Sequence, residues 1–370
     1  MKPLLLLVIA LLLASPVKAD PAQEAVTVIV KSSPQSSFFS ALTVRDKAGT
    51  GQNILRSQAV DDKTRPEWPR AYIRIGAQEF TYDALSRLYD QAGKRRLIPA
   101  AVARRLEQWV GYVEKAHFGR PLDWKQVSKT FRRLAHATVT DLETGKRFLV
   151  QRRAGSRHAD VQPLTKRDTA ILRQIYDGEW SWRRRAILLT VDGQHFAASM
   201  HGMPHGAGAI VGNDFPGHFC IHFTGSATHR RREPDPSHSL MILKASGKLR
   251  EAVLQASPAQ LVDYILLSLR EQDYATLRML TNGANLTFPL EDVASVRRVS
   301  AFGDEAEADL LTAELPVTVA TWAAGKRPQK ERWIFTFQRS SVLANWKLSE
   351  LAKSPQAGER MQKSSPHGPG

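Results

Sequence analysis

Apolar and polar residues alternate along several stretches of this chain and recur at helical spacing along others. VTVIV at 26–30 and AYIRIG at 71–76 read as strands. AAVARRLEQWVGYVEKAH at 100–117 places Val102, Leu106, Trp109, Val113 and His117 on one helical stripe, with Pro99 just ahead of it. TVTDLETGKRFLVQRR at 138–153 predicts a hairpin around a Glu-Thr-Gly turn. LTKRDTAILRQIYDG at 164–178 predicts a helix capped by Thr165, with Asp168 three residues on. RRAILLTVDGQHFAASMHG at 184–202 predicts two strands around Asp192-Gly193. Beyond Ser257-Pro258, Leu261, Ile265 and Leu269 share a helical face, and polar Glu271 to Asp273 separate that helix from a second piece. Strands then follow at 308–322, 331–339 and 344–351, with Trp333, Phe335 and Phe337 on one side of the second.

The chain has 370 residues, enough for two or three domains. MKPLLLLVIALLLASPVKAD at 1–20 reads as a signal peptide, with Lys2, the apolar run from Leu4 to Leu13, and the small-residue pattern of Val17 and Ala19. The run is short for a transmembrane span, so no stable membrane span is expected after signal cleavage. A periplasmic or secreted location follows. Without Lys2 and Lys18 the formal charge falls from +16 to about +14. Basic clusters such as Arg183 to Arg185 and Arg230 to Arg232 suit an anionic surface, and equally a merely solvated one. Peptidoglycan or another anionic cell-envelope polymer is the expected partner. Nucleic acid is not expected, since zinc-finger spacing and RNA-binding motifs are missing.

Cys220 is the one cysteine, and it lies in GHFCIHF at 217–223. Strand alternation puts His218, Cys220 and His222 on one side and Phe219, Ile221 and Phe223 on the other. Eight of the eleven histidines fall between His158 and His238. A thiol flanked by imidazoles is a candidate nucleophile, and imidazolium neighbours would lower its pKa below about 8.5. The first three would line a cleft and the aromatic and aliphatic three would be buried.

These residues resemble the L,D-transpeptidase family of peptidoglycan cross-linking enzymes. Its signature is a histidine, a spacer, then Ser or Thr, His, Gly and Cys. Here His201, followed by glycine, precedes fifteen residues and then Gly217, His218, Phe219 and Cys220. The resemblance implies that Cys220 is the nucleophile, His201 its base and His218 the second histidine. It implies that the Gly202 carbonyl orients His201, and that amides near Phe219 and Cys220 form an oxyanion hole. Gly202, His205, Phe219, His222 and His229 are the expected substrate-side residues. The chain departs from the signature at Gly217, Phe219 and His222. Asp160 and Asp168 are candidates both for orienting a histidine and for turn or helix-start roles.

The resulting expectation is an α+β multidomain protein. It has a signal peptide at 1–19, a mixed α/β segment at 20–129 and a mostly-β L,D-transpeptidase-like domain at 130–250. A segment at 256–351, a bent helix followed by long antiparallel strands, resembles the NTF2-like α+β cone. A disordered tail closes the chain at 352–370. The expected activity is cysteine acyl transfer on peptidoglycan stem peptides, with no cofactor and no metal. Two alternatives stay open. One is a zinc-dependent cell-wall peptidase or amidase drawing on His201, His205, His229 and one residue of GHFCIHF. On a strand His218 and His222 would lie about 13 Å apart, too far to share one ion. The other is a non-catalytic cell-wall binding protein with an inert site.

Overall fold

The computed structural model describes residues 25–62, 68–228, 233–300, 307–308, 311–322 and 327–354. The signal-peptide segment, His229 and the tail from 355 onward lie outside the described residues. Among the described residues the chain forms three sheets with helices packed on or between them, an α+β arrangement.

The first sheet collects β1 (Val26–Lys31), β2 (Phe39–Val44), β3 (Gln58–Val60), β4 (Ala71–Ile75), β5 (Gln78–Tyr82), β6 (Leu88–Tyr89) and β7 (Arg95–Leu97) in the order β2-β1-β4-β5-β6-β7-β3. A short helix, α1 (Thr50–Arg56), precedes β3, and α2 (Ala100–His117) covers the sheet. Its buried residues are Val102, Leu106, Val110, Val113 and His117. Val110 takes the central place expected for Trp109, because steps of three and four residues from Leu106 and Val113 converge on it. Next comes α3 (Trp124–Thr130), which starts at an Asp123–Gln126 capping box.

A closed barrel follows, built from β8 (His136–Asp141), β9 (Arg147–Ala154), β10 (Ala159–Pro163), β11 (Arg185–Val191), β12 (Gln194–Met200) and β13 (Phe219–His222) in the order β10-β13-β12-β11-β8-β9. Val139, Val150, Val161, Ile187, Leu189, Phe196, Phe219 and Ile221 fill its interior. Positive φ at Asp192 (47°) and Gly193 (74°) gives the β11–β12 turn the twist that a two-residue hairpin needs. The helix α4 (Lys166–Ile175) begins at a Thr165–Asp168 capping box. Asp168 also accepts the Leu149 amide at 2.7 Å, which ties the helix to β9.

An unexpected helix, α5 (Pro236–Ala245), packs Leu240, Met241 and Ala245 onto Ala186, Leu188 and Ala197 on the outside of the barrel. It is capped by Asp235, with Pro236 at its first position. Then come α6 (Leu249–Gln255), α7 (Pro258–Arg270) and α8 (Tyr274–Thr281). The last sheet comprises β14 (Asn285–Leu286), β15 (Ser295–Arg298), β16 (Glu307–Ala308), β17 (Thr312–Trp322), β18 (Gln329–Gln338) and β19 (Lys347–Lys353). Its main path runs β14-β19-β18-β17-β15. Trp333, Phe335 and Phe337 are fully buried beneath α7. Ala352 and Lys353, expected in the tail, are strand residues paired with Ile334 and Trp333. Among the described residues no helix is long and apolar enough to cross a membrane.

A buried ion cluster fastens these parts together. Lys244 Nζ on α5 lies 2.8 Å from both oxygens of Asp273, the cap of α8, and 2.6 Å from Glu143 in the β8–β9 turn. Glu143 in turn accepts the Ser33 hydroxyl at 2.7 Å.

Candidate active site

The cysteine strand sits between β10 and β12 in the barrel wall. Register places Asp160 opposite Cys220, Val161 opposite Phe219, and Ser199 opposite His222. Phe219, Ile221 and Phe223 point inward and are buried, as alternation requires. Cys220 therefore faces the outside of the barrel. There His205 of the segment 201–218 lies against it, and α5 covers the neighbouring His222 through His238. The thiol is only 3% exposed and His222 equally so, whereas the His218 side chain is 16% exposed. The expected open cleft is a roofed pocket. Phe219 packs with Phe148 and Phe215 in the core, on the other side of the strand from Cys220.

Six imidazoles and one carboxyl gather around the thiol. His205 is in contact with it: its Nε2 lies 3.4 Å from Cys220 Sγ. Its Nδ1 is 3.1 Å from the Met203 carbonyl, which only accepts, so Nδ1 carries the proton and Nε2 offers its lone pair to the thiol. His201, the expected base, lies behind it. Its Nδ1 accepts the Met203 amide at 3.3 Å, and its ring is 5.2 Å from that of His205. His201 is thus oriented by the Met203 amide rather than by the expected Gly202 carbonyl, and the Met203 carbonyl orients His205. Gly202 donates its amide to Ser181 and lies against Tyr176, where an added Cβ would come within 2.4 Å of the ring.

The segment 201–218 curves back because it can approach its own end closely. His205 and His218 form an isolated bridge, each amide donating to the other's carbonyl at 2.9 Å. Gly206 has φ +61°, and a Cβ there would meet His218 Cε1 at 2.5 Å. Gly206→Ala is expected to displace His218 and loosen the bridge, costing about 1–3 kcal/mol. Thermal unfolding, with the His218 and His205 imidazole NMR signals, checks this.

Sequence reasoning left His158 and His238 without a role and offered Asp160 as a candidate to orient a histidine. His158 and Asp160 come from β10 and the residue before it. His158 Nε2 is 3.0 Å from Asp160 Oδ1 and its Nδ1 is 2.8 Å from the Ala227 carbonyl. The same Asp160 oxygen lies 3.8 Å from Cys220 Sγ. His238, from α5, meets Ser199 Oγ at 2.8 Å and stacks on His222 at 3.8 Å between centroids. The signal for His158 and Asp160 was the alternation in HAD at 158–160, which puts both polar side chains on one face of a strand. Trp182, half exposed, lies 4.7 Å from the His201 ring and 5.3 Å from the His205 ring. It also lines a cleft of about 480 Å³ bounded by Arg183, Arg184, Arg270, Glu271 and Gln272.

Burial first, and the Asp160 carboxyl second, push the Cys220 thiol well above the ordinary cysteine range. The expected lowering is reversed. It presumed charged imidazoles, yet burial also holds His201 and His238 well below the ordinary histidine pKa, with Arg184 and neighbouring rings adding to the effect. Away from the site, burial lowers His117 to about 4. These three rings stay neutral in the folded chain. Below about pH 6.5 the unfolded chain binds protons that the folded one refuses. Stability is therefore expected to fall as pH drops from 7.5 to 5.5, and denaturant titrations at the two pH values check the sign.

No protein-family model matches this sequence, and a comparison with curated proteins finds no match.

Proposed function

We propose that this chain is an exported cysteine acyl-transferase acting on peptidoglycan stem peptides, with Cys220 as nucleophile and His205 as its base. The observation that carries the reading is the Sγ to Nε2 distance of 3.4 Å, with His205 held in the matching tautomer by the Met203 carbonyl. The thiol rests neutral, so proton transfer accompanies attack instead of preceding it. His205 Nε2 takes the S–H proton as sulfur bonds to the substrate carbonyl carbon. The imidazolium returns that proton to the departing amine as the C–N bond breaks, leaving a thioester on Cys220. An acceptor amine or water then attacks the thioester, again losing its proton to His205, and frees the thiol.

The substrate class comes from the L,D-transpeptidase-like pattern His201-Gly202…Gly217-His218-Phe219-Cys220 and from the basic surface. In this reading 130–250 is the catalytic domain, and the helix pair over a curved sheet at 256–351 is an NTF2-like cone. The cleft beside Trp182 supports a carboxylate-bearing peptide, since Arg183 and Arg270 stand at its wall. Access to the thiol has to leave His205 in place on its bridge to His218. The test is turnover of purified stem tetrapeptides, followed by chromatography and mass spectrometry. Cys220→Ala is expected to abolish it, and turnover equal to that of the unmodified protein would refute the reading.

A further inference from the structure

We propose that Cys220, His218 and Asp160 also form a zinc site, holding one Zn²⁺ through Sγ, Nε2 and Oδ1 with the fourth tetrahedral position open to water. The three ligand atoms lie within 4.8 Å of one another. Two of the separations are 3.8 Å, from Sγ to Oδ1, and 3.9 Å, from Nε2 to Oδ1. A contraction of a few tenths of an ångström brings that carboxylate oxygen to the spacing of ligands around a tetrahedral zinc. The backbone already fixes the set. Asp160 and Cys220 are directly opposed on paired strands, and the bridge to His205 anchors His218.

Outer partners are in place as well. His218 Nδ1 donates to the Ala207 carbonyl at 3.0 Å, which leaves Nε2 as the ligand atom. His158 Nε2 holds Asp160 Oδ1 at 3.0 Å. One thiolate and one carboxylate among the ligands match the two charges of the ion. The mixed S, N and O donors suit zinc better than magnesium or calcium.

Two other triads surround the same sulfur, His201–His205–Cys220 and His158–Cys220–His222. His201 has committed its Nδ1 lone pair to the Met203 amide, so its Nε2 carries the proton. His158 has both nitrogens engaged, with Ala227 and Asp160. The Asp160–His218 side of the thiol is therefore the one where a cation fits. On binding, the S–H bond breaks, the S–Zn bond forms and the proton leaves to solvent. The consequence for catalysis rests on the acyl-transfer reading: a zinc-held thiolate is withdrawn from attack, so the metal silences the enzyme.

The experiment uses the full chain, reduced and stripped of metal, mixed with excess zinc chloride and desalted. Zinc is then counted by mass spectrometry. The unmodified protein is expected to keep one ion per chain, as are His201→Ala and His222→Ala, while Cys220→Ala and Asp160→Asn lose it. His158→Gln is expected to weaken binding by about 10- to 100-fold. A metal-free unmodified protein, or full retention by Cys220→Ala, would overturn the proposal. Should the variants fail to fold, the unmodified chain still decides. Cobalt(II) in place of zinc is expected to give a thiolate-to-metal charge-transfer band, and a spectrum without one would overturn the site. Failure of the zinc site leaves acylation of the metal-free protein intact. Failure of the acylation reading leaves zinc retention intact.

Discussion

His205→Ala is expected to slow acylation of Cys220 by about 10²- to 10⁴-fold, the range that a positioned base supplies. The same change at His201 is expected to cost less, because His201 stands behind His205 and touches the thiol through it. The difference follows from the resting state. Burial and Asp160 keep the sulfur protonated, so attack needs an acceptor for that proton at the moment of bond formation. His205 Nε2, 3.4 Å from Sγ, is in reach of that proton. His205→Gln keeps a side-chain amide near the sulfur but removes the base, so it is expected to be as slow as alanine. Single-turnover acylation at several pH values checks this. A His201→Ala defect exceeding that of His205→Ala would move the base back to His201.

Lys244→Met is expected to lower the unfolding free energy by about 3–5 kcal/mol, the cost of leaving buried charge without its partner. Lys244 is 2% exposed and Asp273 9%, and each is held charged by the other. Burial alone would lower the Lys244 pKa, yet Asp273 and Glu143 raise it above the ordinary lysine value. Burial likewise works against ionised Asp273, and Lys244 wins, taking it below the ordinary value. The two signs define a window. The Asp273 contribution is present above about pH 3.9 and lost as pH falls below it. The Lys244 contribution is present below about pH 10.4 and lost as pH rises through the raised value. Since Lys244 joins α5 to the β8–β9 turn and to the cap of α8, its loss is expected to split the denaturant transition of the three parts. Lys244→Met combined with Asp273→Asn is expected to recover part of the loss. An unchanged single transition in Lys244→Met would show that the cluster does not couple them.

Elements whose signals are local were legible in the sequence. The β11–β12 hairpin declared itself through Asp192-Gly193, α4 through its Thr165 cap and α7 through the shared face of Leu261, Ile265 and Leu269. Alternation in GHFCIHF separated the core residues Phe219, Ile221 and Phe223 from the polar side. What surrounds that polar side was not legible, because it is assembled from distant strands. Asp160 faces Cys220 through the β10–β13 pairing, a neighbour relation sixty residues apart in sequence. The helix α5 escaped notice because its apolar residues spread around much of its circumference rather than forming one stripe, and it brings His238 with it. The choice between His201 and His205 could not be made from spacing, since one ends the strand before the glycine-rich turn and the other lies inside it. The His205–His218 bridge turns one ring toward sulfur. The pKa of the thiol inverted for a related reason: burial of its neighbours keeps them neutral, and spacing does not reveal burial.

The most direct measurement is the intact mass of the metal-free protein during reaction with a peptidoglycan stem tetrapeptide, followed by peptide mapping of the adduct. A thioester on Cys220 is expected, accumulating in the unmodified protein, absent in Cys220→Ala and strongly delayed in His205→Ala. Stem-peptide turnover with no adduct on Cys220, and undiminished in Cys220→Ala, would contradict the assignment of this thiol as the nucleophile.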